Sequence, residues 1–231
     1  YKDLNFTNRK NHGQHLIYRD DIISKKAIGH QPNKAPRINA LLKSKSIHFE
    51  FGVEKHELTA TSNQSLINYL SDLPMYKVGR EFTNIRMSEQ MEASTVQYLR
   101  DQVADRDTID AVRFILAFVQ QVTAYGSDYD KYGEEQFYYP EQTVMATTAD
   151  CENKAMLMAY LSREILGLET IGLFFQADEH ISMAIHIPNY TPYGSFKYAG
   201  KVYVSCEPTA KYPKLTQSQF SLNRVTEVIP L

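Results

Sequence analysis

Apolar and polar positions change rhythm along this chain of 231 residues. Residues 1–45 keep no sustained period and are punctuated by Gly, Asn and Pro. From 46, SIHFEFGVEKHEL alternates, with Ile47, Phe49, Phe51 and Val53 on one side, the two-residue period of a half-buried strand. Residues 62–74 predict a short helix with Ser62 or Asn63 as its cap and Pro74 as its stop. From 88 the spacing turns to three and four. Met91, Thr95, Tyr98, Leu99 and Val103 share a face behind a candidate cap, Ser88, and Ile109, Val112, Ile115, Leu116, Val119 and Val122 line a second helix within 107–125. These two helices are expected to pack together. Residues 126–146 read as a long, aromatic and acidic loop, and connections of that length tend to carry function. A helix over about 151–165 follows, closed by Gly167, and then come three strand-like runs at 169–177, 180–188 and 201–209. Helices first and strands afterwards predict an α+β fold, with an antiparallel sheet against the last helix. The break in rhythm divides an N-terminal extension, 1–85, from a core, 86–231.

Composition removes several classes. Hydrophobic residues are 43% of the chain and charged residues 23%, ordinary for a globular protein large enough to bury a sizeable core. A formal net charge of −2 supplies no overall field toward nucleic acid or anionic lipid. The basic neighbourhood of Arg37, Lys43 and Lys45 reads as a solvated loop or edge. No apolar run approaches the roughly 18 residues of a membrane helix, so no membrane insertion is expected. No phosphate loop and no nucleic-acid pattern is found, and neither a nucleic-acid partner nor a cofactor is expected. Two cysteines are too few for a disulfide framework. The chain opens on Tyr1 rather than Met, so an upstream signal or anchor segment, or another removed piece, is expected.

One cysteine stands where chemistry is easiest. Cys151 falls where a loop becomes a helix, between Asp150 and Glu152, ahead of the apolar run Ala155, Met156, Leu157, Met158, Ala159, Leu161 and Ile165. Free N–H groups and the positive end of a helix favour thiolate over thiol, and acids close to the sulfur oppose that. From position alone the thiol is a core residue, half of a disulfide or a nucleophile. A nucleophile needs a base, and the base an orienting group. Strand alternation sends His180, Ser182, Ala184 and His186 to one face of their strand, and Lys201, Tyr203, Ser205 and Glu207 share a face of theirs. Pairing the two strands sets a histidine beside Glu207 on the polar face of the sheet and turns Cys206 into the apolar layer. Alternation does not choose between His180 and His186. A zinc site from Cys151, His180, His186 and Glu207 is the weaker reading, because no closely spaced ligand pair supports it, and no metal is expected.

The stretch YYPEQTVMATTADCENKAMLMAYLSREILGLETIGLFF, with EHISMAIHI and KVYVSCEPTA after it, resembles the transglutaminase-like, papain-related cysteine enzymes, in the group common in bacteria. ADCENKA matches that group's helix start at Asp150, Cys151, Glu152, Lys154 and Ala155; HISMAI matches at His180, and CEPT at Glu207 to Thr209. The likeness covers roughly 88–210. It implies a papain/transglutaminase-like core in which Cys151 is the nucleophile, His180 the general base and acid, and Glu207 the group that holds the imidazole. His186 is then a bystander. The implied reaction is thiol-dependent acyl transfer, chiefly hydrolysis of amides in a peptide or protein substrate. Cross-linking transfer and an inactive peptide- or partner-binding domain are the alternatives. The backbone N–H of Cys151 is the obvious oxyanion donor, with Gln136, Gln142 and the loop tyrosines as candidates for a second. The envelope roles common in this group point outside the cytoplasm. Three positions depart from its pattern: Ala149 where glycine is usual, Asn153 where aspartate is usual, and Glu207 where many members carry aspartate.

Overall fold

The computed structural model describes residues 4–8, 13–18, 39–72, 79–212 and 214–231. Arg37 and the stop at Pro74 lie outside them. In chain order the elements are β1 (Leu4–Asn8), β2 (Gly13–Tyr18), β3 (Leu42–Phe51), β4 (Glu54–Asn63), α1 (Gln64–Ser71), α2 (Arg80–Thr83), α3 (Glu89–Met91), α4 (Gln97–Val103), α5 (Thr108–Gln121) and β5 (Ala124–Tyr125). Then follow α6 (Asp128–Tyr132), α7 (Pro140–Met145), β6 (Thr148–Ala149), α8 (Cys151–Leu166), β7 (Thr170–Phe175), β8 (His180–Ile185), β9 (Phe196–Tyr198), β10 (Lys201–Cys206) and β11 (Glu227–Pro230). A π-helical turn, Glu92–Val96, joins α3 to α4. The fold is α+β. Its main sheet has five antiparallel strands in the order β11-β7-β8-β10-β9.

The single strand expected from residue 46 is a hairpin. β3 and β4 pair in register from Leu42↔Asn63 to Phe51↔Glu54, and Gly52 takes φ 62 in the two-residue turn. Val53 therefore sits at the turn and is 98% exposed, not inside with Ile47, Phe49 and Phe51. The inward positions pass from odd numbers on β3 to even numbers on β4, and this shift of phase at the turn is the mark of the reversal. The inner face of the hairpin (Ile47, Phe49, Phe51, Leu58, Ala60) packs into the same core as α5 and α8.

α8 is the axis of the molecule. Asp150 caps it by accepting from the Asn153 amide, and Gly167 closes it at φ 66, where a β-carbon is disfavoured. Its residues from Ala155 to Leu161 are almost wholly buried. One side lies on α5; the other meets the sheet at Met183, Ile185, Val204 and Cys206. The opposite sheet face carries Ile171, Leu173, Phe175, Ala184 and Tyr203 and is covered by Phe220, Leu222, Val225 and Val228 of the C-terminal segment. Every residue of β8 is consequently buried, so the expected polar face does not meet solvent. The loop expected at 126–146 contains α6 and α7; only their shortness hid them. No helix among the described residues is long and apolar enough to cross a membrane.

Lysine positions the start of α8. Lys154, 1% exposed, donates to the carbonyls of Val119, Gln120 and Thr123 at 3.2, 2.9 and 2.8 Å, around the end of α5. Lys45 donates to Val122, Val144 and Ala146 at 2.9, 2.8 and 2.7 Å. The two ammonium groups satisfy carbonyls that a helix C-terminus leaves free. Lys45 is thus tied down rather than part of a solvated edge, because those carbonyls lie within reach of the hairpin.

Candidate active site

Three local features converge on Cys151. β5 and β6 form a short parallel clip, Ala124↔Thr148 and Tyr125↔Ala149, which fixes the residues just before α8. Ala149 is fully buried there and is not among the residues of positive φ, so its β-carbon is accommodated without glycine. The capping bond from the Asn153 amide to Asp150 Oδ1, 3.1 Å, then orients the first turn. Asn153 is fully buried: its Oδ1 accepts from the Tyr138 amide at 2.5 Å, and its Nδ2 donates to Asp128 Oδ2 and the Gln136 carbonyl at 3.2 and 3.0 Å. An amide serves this position because it must donate and accept at once.

Antiparallel pairing of β8 with β10 brings His180 to Glu207. His180 Nε2 lies 3.1 Å from Glu207 Oε2, and the two residues are 6% and 3% exposed. Thr209 donates to Glu207 Oε1 through its hydroxyl at 2.6 Å and its amide at 3.2 Å. Burial works to raise the Glu207 carboxyl, but the bond and charge of His180 and the hydroxyls of Thr209 and Ser182 outweigh it and hold the acid below its ordinary range. Gln120 Nε2 donates to the Glu207 carbonyl at 2.9 Å, linking this strand end to α5. His186, at the other end of β8, engages the Val202 carbonyl at 2.9 Å and takes no part.

The sulfur lies beside the start of β8. Cys151 is 4% exposed, Cys206 is fully buried, and both are free thiols. The Ile181 amide lies near enough to the sulfur to favour its anion, which sets Cys151 against the residue that follows His180. Of the two opposing influences expected on the thiol, the acids prevail over the helix end. Burial, then the charge of Glu152 and the 2.9 Å bond that the thiol donates to Glu152 Oε2, push the Cys151 thiol well up. A carboxylate in contact outweighs the partial charge of a helix end.

The surroundings are acidic. Glu135, Asp150 and Glu152 offer carboxylate oxygens within 4.8 Å of one another, close enough to share a proton or one cation. Cys151, His180, His186 and Glu207 form no such group among the described residues. Burial, then Glu152 and Asp128, push Asp150 up to about 8. Burial, then the charges of Cys151, Asp150, Glu152 and Glu207, push the Tyr125 hydroxyl up to about 12. Tyr125 thus feels the charges of both halves of the site and stays a hydroxyl donor at neutral pH. Gln142 is spent in the cap of α7, accepting from the Tyr139 amide and donating to Ser71. Gln136 is held by Glu134 and Asn153. Neither glutamine is turned to the sulfur.

Glu152→Gln is expected to lower the Cys151 thiol pKa by about one to two units, the worth of a hydrogen bond to a charged acceptor. Thiolate nucleophilicity falls as basicity falls, so alkylation by iodoacetamide at pH 7 should rise by about 4- to 13-fold. Peptide mapping of the labelled site checks this, and equal rates for the two proteins would remove Glu152 from control of the thiol.

Comparison of the sequence with protein-family models and with curated proteins gives no match.

Proposed function

We propose that this chain is a thiol-dependent acyl-transfer enzyme on a transglutaminase-like, papain-related core, hydrolysing amide bonds of a peptide or protein substrate. The observation that carries the reading is the buried His180–Glu207 pair, formed at the strand end beside which the Cys151 sulfur lies, near the Ile181 amide.

Glu207 takes one imidazole nitrogen, Nε2, which leaves Nδ1 to exchange a proton with the thiol and the leaving amine. The resting nucleophile is a neutral thiol bonded to Glu152, so the S–H first turns from Glu152 to the imidazole and gives up its proton there as sulfur attacks the acyl carbon. Carbon–sulfur bond formation gives a tetrahedral oxyanion, for which the Cys151 amide at the start of α8 and the Tyr125 hydroxyl are the donors. The imidazolium then protonates the leaving amine, the C–N bond breaks, and water resolves the thioester with His180 as base.

Trapping tests the reading. Incubation with a panel of peptide acyl donors, followed by intact-mass measurement at low pH, should give a hydroxylamine-labile adduct on Cys151. The adduct should be absent in Cys151→Ala and much reduced in His180→Ala. Absence of any adduct, together with alkylation of Cys151 that is indifferent to His180→Ala, would sink it. The thiol's bond to Glu152 and its near-complete burial favour one other reading, a catalytically idle domain that binds peptides, which would give binding without adduct. Release of ammonia or peptide against incorporation of an added primary amine divides hydrolysis from cross-linking transfer.

A further inference from the structure

We propose that the C-terminal segment 215–226 is a positioning strap for the catalytic imidazole, with Phe220 as the residue that holds the ring and Arg224 as its clamp. The proposal rests on the reading of His180 as the base.

The Phe220 ring stands 5.4 Å from the His180 ring at an interplanar angle of 64°, an edge contact within the favourable range for aromatic pairs. Phe175 closes the triangle, 5.5 Å from Phe220 and 6.3 Å from His180. Glu207 fixes one ring nitrogen, but a single bond does not stop an imidazole from tilting about that contact. Phe220 and Phe175 limit the tilt, and the half-buried Phe220 also keeps water from a charge-assisted bond that weakens when wet.

The strap is fastened to the turn that launches β8. Arg224 Nη2 lies 2.9 and 2.8 Å from the two carboxylate oxygens of Asp178, two residues before His180, and its guanidinium sits 5.5 Å from the Phe220 ring centroid. The Thr226 hydroxyl accepts from the Gln176 amide at 3.2 Å and donates to the Phe174 carbonyl at 3.1 Å. Between Asp178 and His180, Glu179 takes φ 47, a left-handed conformation that a non-glycine residue keeps only when its surroundings enforce it. Strap, strained turn and imidazole therefore form one mechanical unit. The segment has no helical or strand period of its own, which is why sequence patterning passes over it.

The test reads the imidazole, not only the fold. Iodoacetamide alkylation of Cys151 is measured against pH for wild type, Phe220→Ala, Phe220→Leu, Phe220→Tyr, Arg224→Ala and His180→Ala. The wild-type profile should carry a limb that His180→Ala removes. Phe220→Ala and Phe220→Leu should slow that limb by about three- to tenfold and displace its midpoint. Phe220→Tyr should stay within about twofold of wild type, and Arg224→Ala should fall between. Should Phe220→Ala not fold, Phe220→Leu and the exposed Arg224→Ala carry the comparison. A limb unchanged in Phe220→Leu and Arg224→Ala, whatever their melting temperatures, overturns the strap alone. A limb unchanged in His180→Ala overturns the reading of the base and the strap with it.

Discussion

Lys154→Met is expected to lower the unfolding free energy at pH 7 by about 3 kcal/mol, although it removes a buried charge. Two effects oppose. Burial, with some repulsion from Lys45, pushes the Lys154 ammonium down from 10.5 to about 8, so keeping it charged costs about 3 kcal/mol that methionine avoids. Against this, the carbonyls of Val119, Gln120 and Thr123 lose their shared donor inside the protein, at about 1–3 kcal/mol each. The acceptors outnumber the charge, and the loss wins. Methionine keeps the length of the apolar stem, so little cavity is added. The sign with pH follows from the same shift: the unfolded chain binds the additional proton between about 8 and 10.5, so this group makes wild-type stability rise with pH over that window. Urea unfolding at pH 7 and pH 10 checks both parts. Stability within 1 kcal/mol of wild type at pH 7, or a rising arm that survives in Lys154→Met, would contradict them. The consequence reaches the site, because the residue that anchors the first turn of α8 lies three positions from Cys151 and is bonded to Gln120, which in turn holds the Glu207 carbonyl.

What the sequence disclosed follows from which forces are local. Helix periods located α5 and α8 to within a few residues, and the caps Ser88, Asp150 and Gly167 are short-range devices with recognisable residue types. Strand alternation left His180 and His186 as equal candidates beside Glu207, and the register of β8 and β10 brings His180 into contact with it. Tertiary contacts were not legible. The fate of Lys45 depends on where the ends of α5 and α7 arrive. Glu152 was visible as an acid beside a cysteine, but whether it caps the helix or bonds the sulfur depends on side-chain direction; Asp150 caps and Glu152 bonds. α6 and α7 span 5 and 6 residues, too few turns for a period, and β11 and the strap are defined by what they cover.

Asp150→Asn should flatten the pH dependence of stability between pH 5 and 9. Asp150 is pushed up from 3.8 to about 8 by burial and by the negative charges of Glu152, Asp128 and Glu135, and it is opposed by the capping amide of Asn153. Because its pKa is higher in the folded state, the stability it contributes is complete below about 4 and drains away as pH climbs to about 8, at about 1.4 kcal/mol per pH unit if it acts alone. Asparagine caps a helix as well as aspartate does and can donate to Asp128, whose Oδ1 is buried, so the substitution keeps the geometry while removing the ionisation. Wild type should therefore lose several kcal/mol between pH 5 and 8, of which the variant keeps most. Unfolding free energies at unit pH steps measure the difference, and two parallel curves would show that Asp150 ionises freely in the folded protein. The direction also bears on the proposed reaction. Below pH 8 a protonated Asp150 keeps one negative charge away from the start of α8, where Glu152 already raises the thiol. Once Asp150 ionises, its charge adds to that of Glu152 and the capping turn meets repulsion from Asp128, so the same ionisation raises the thiol further and loosens its support.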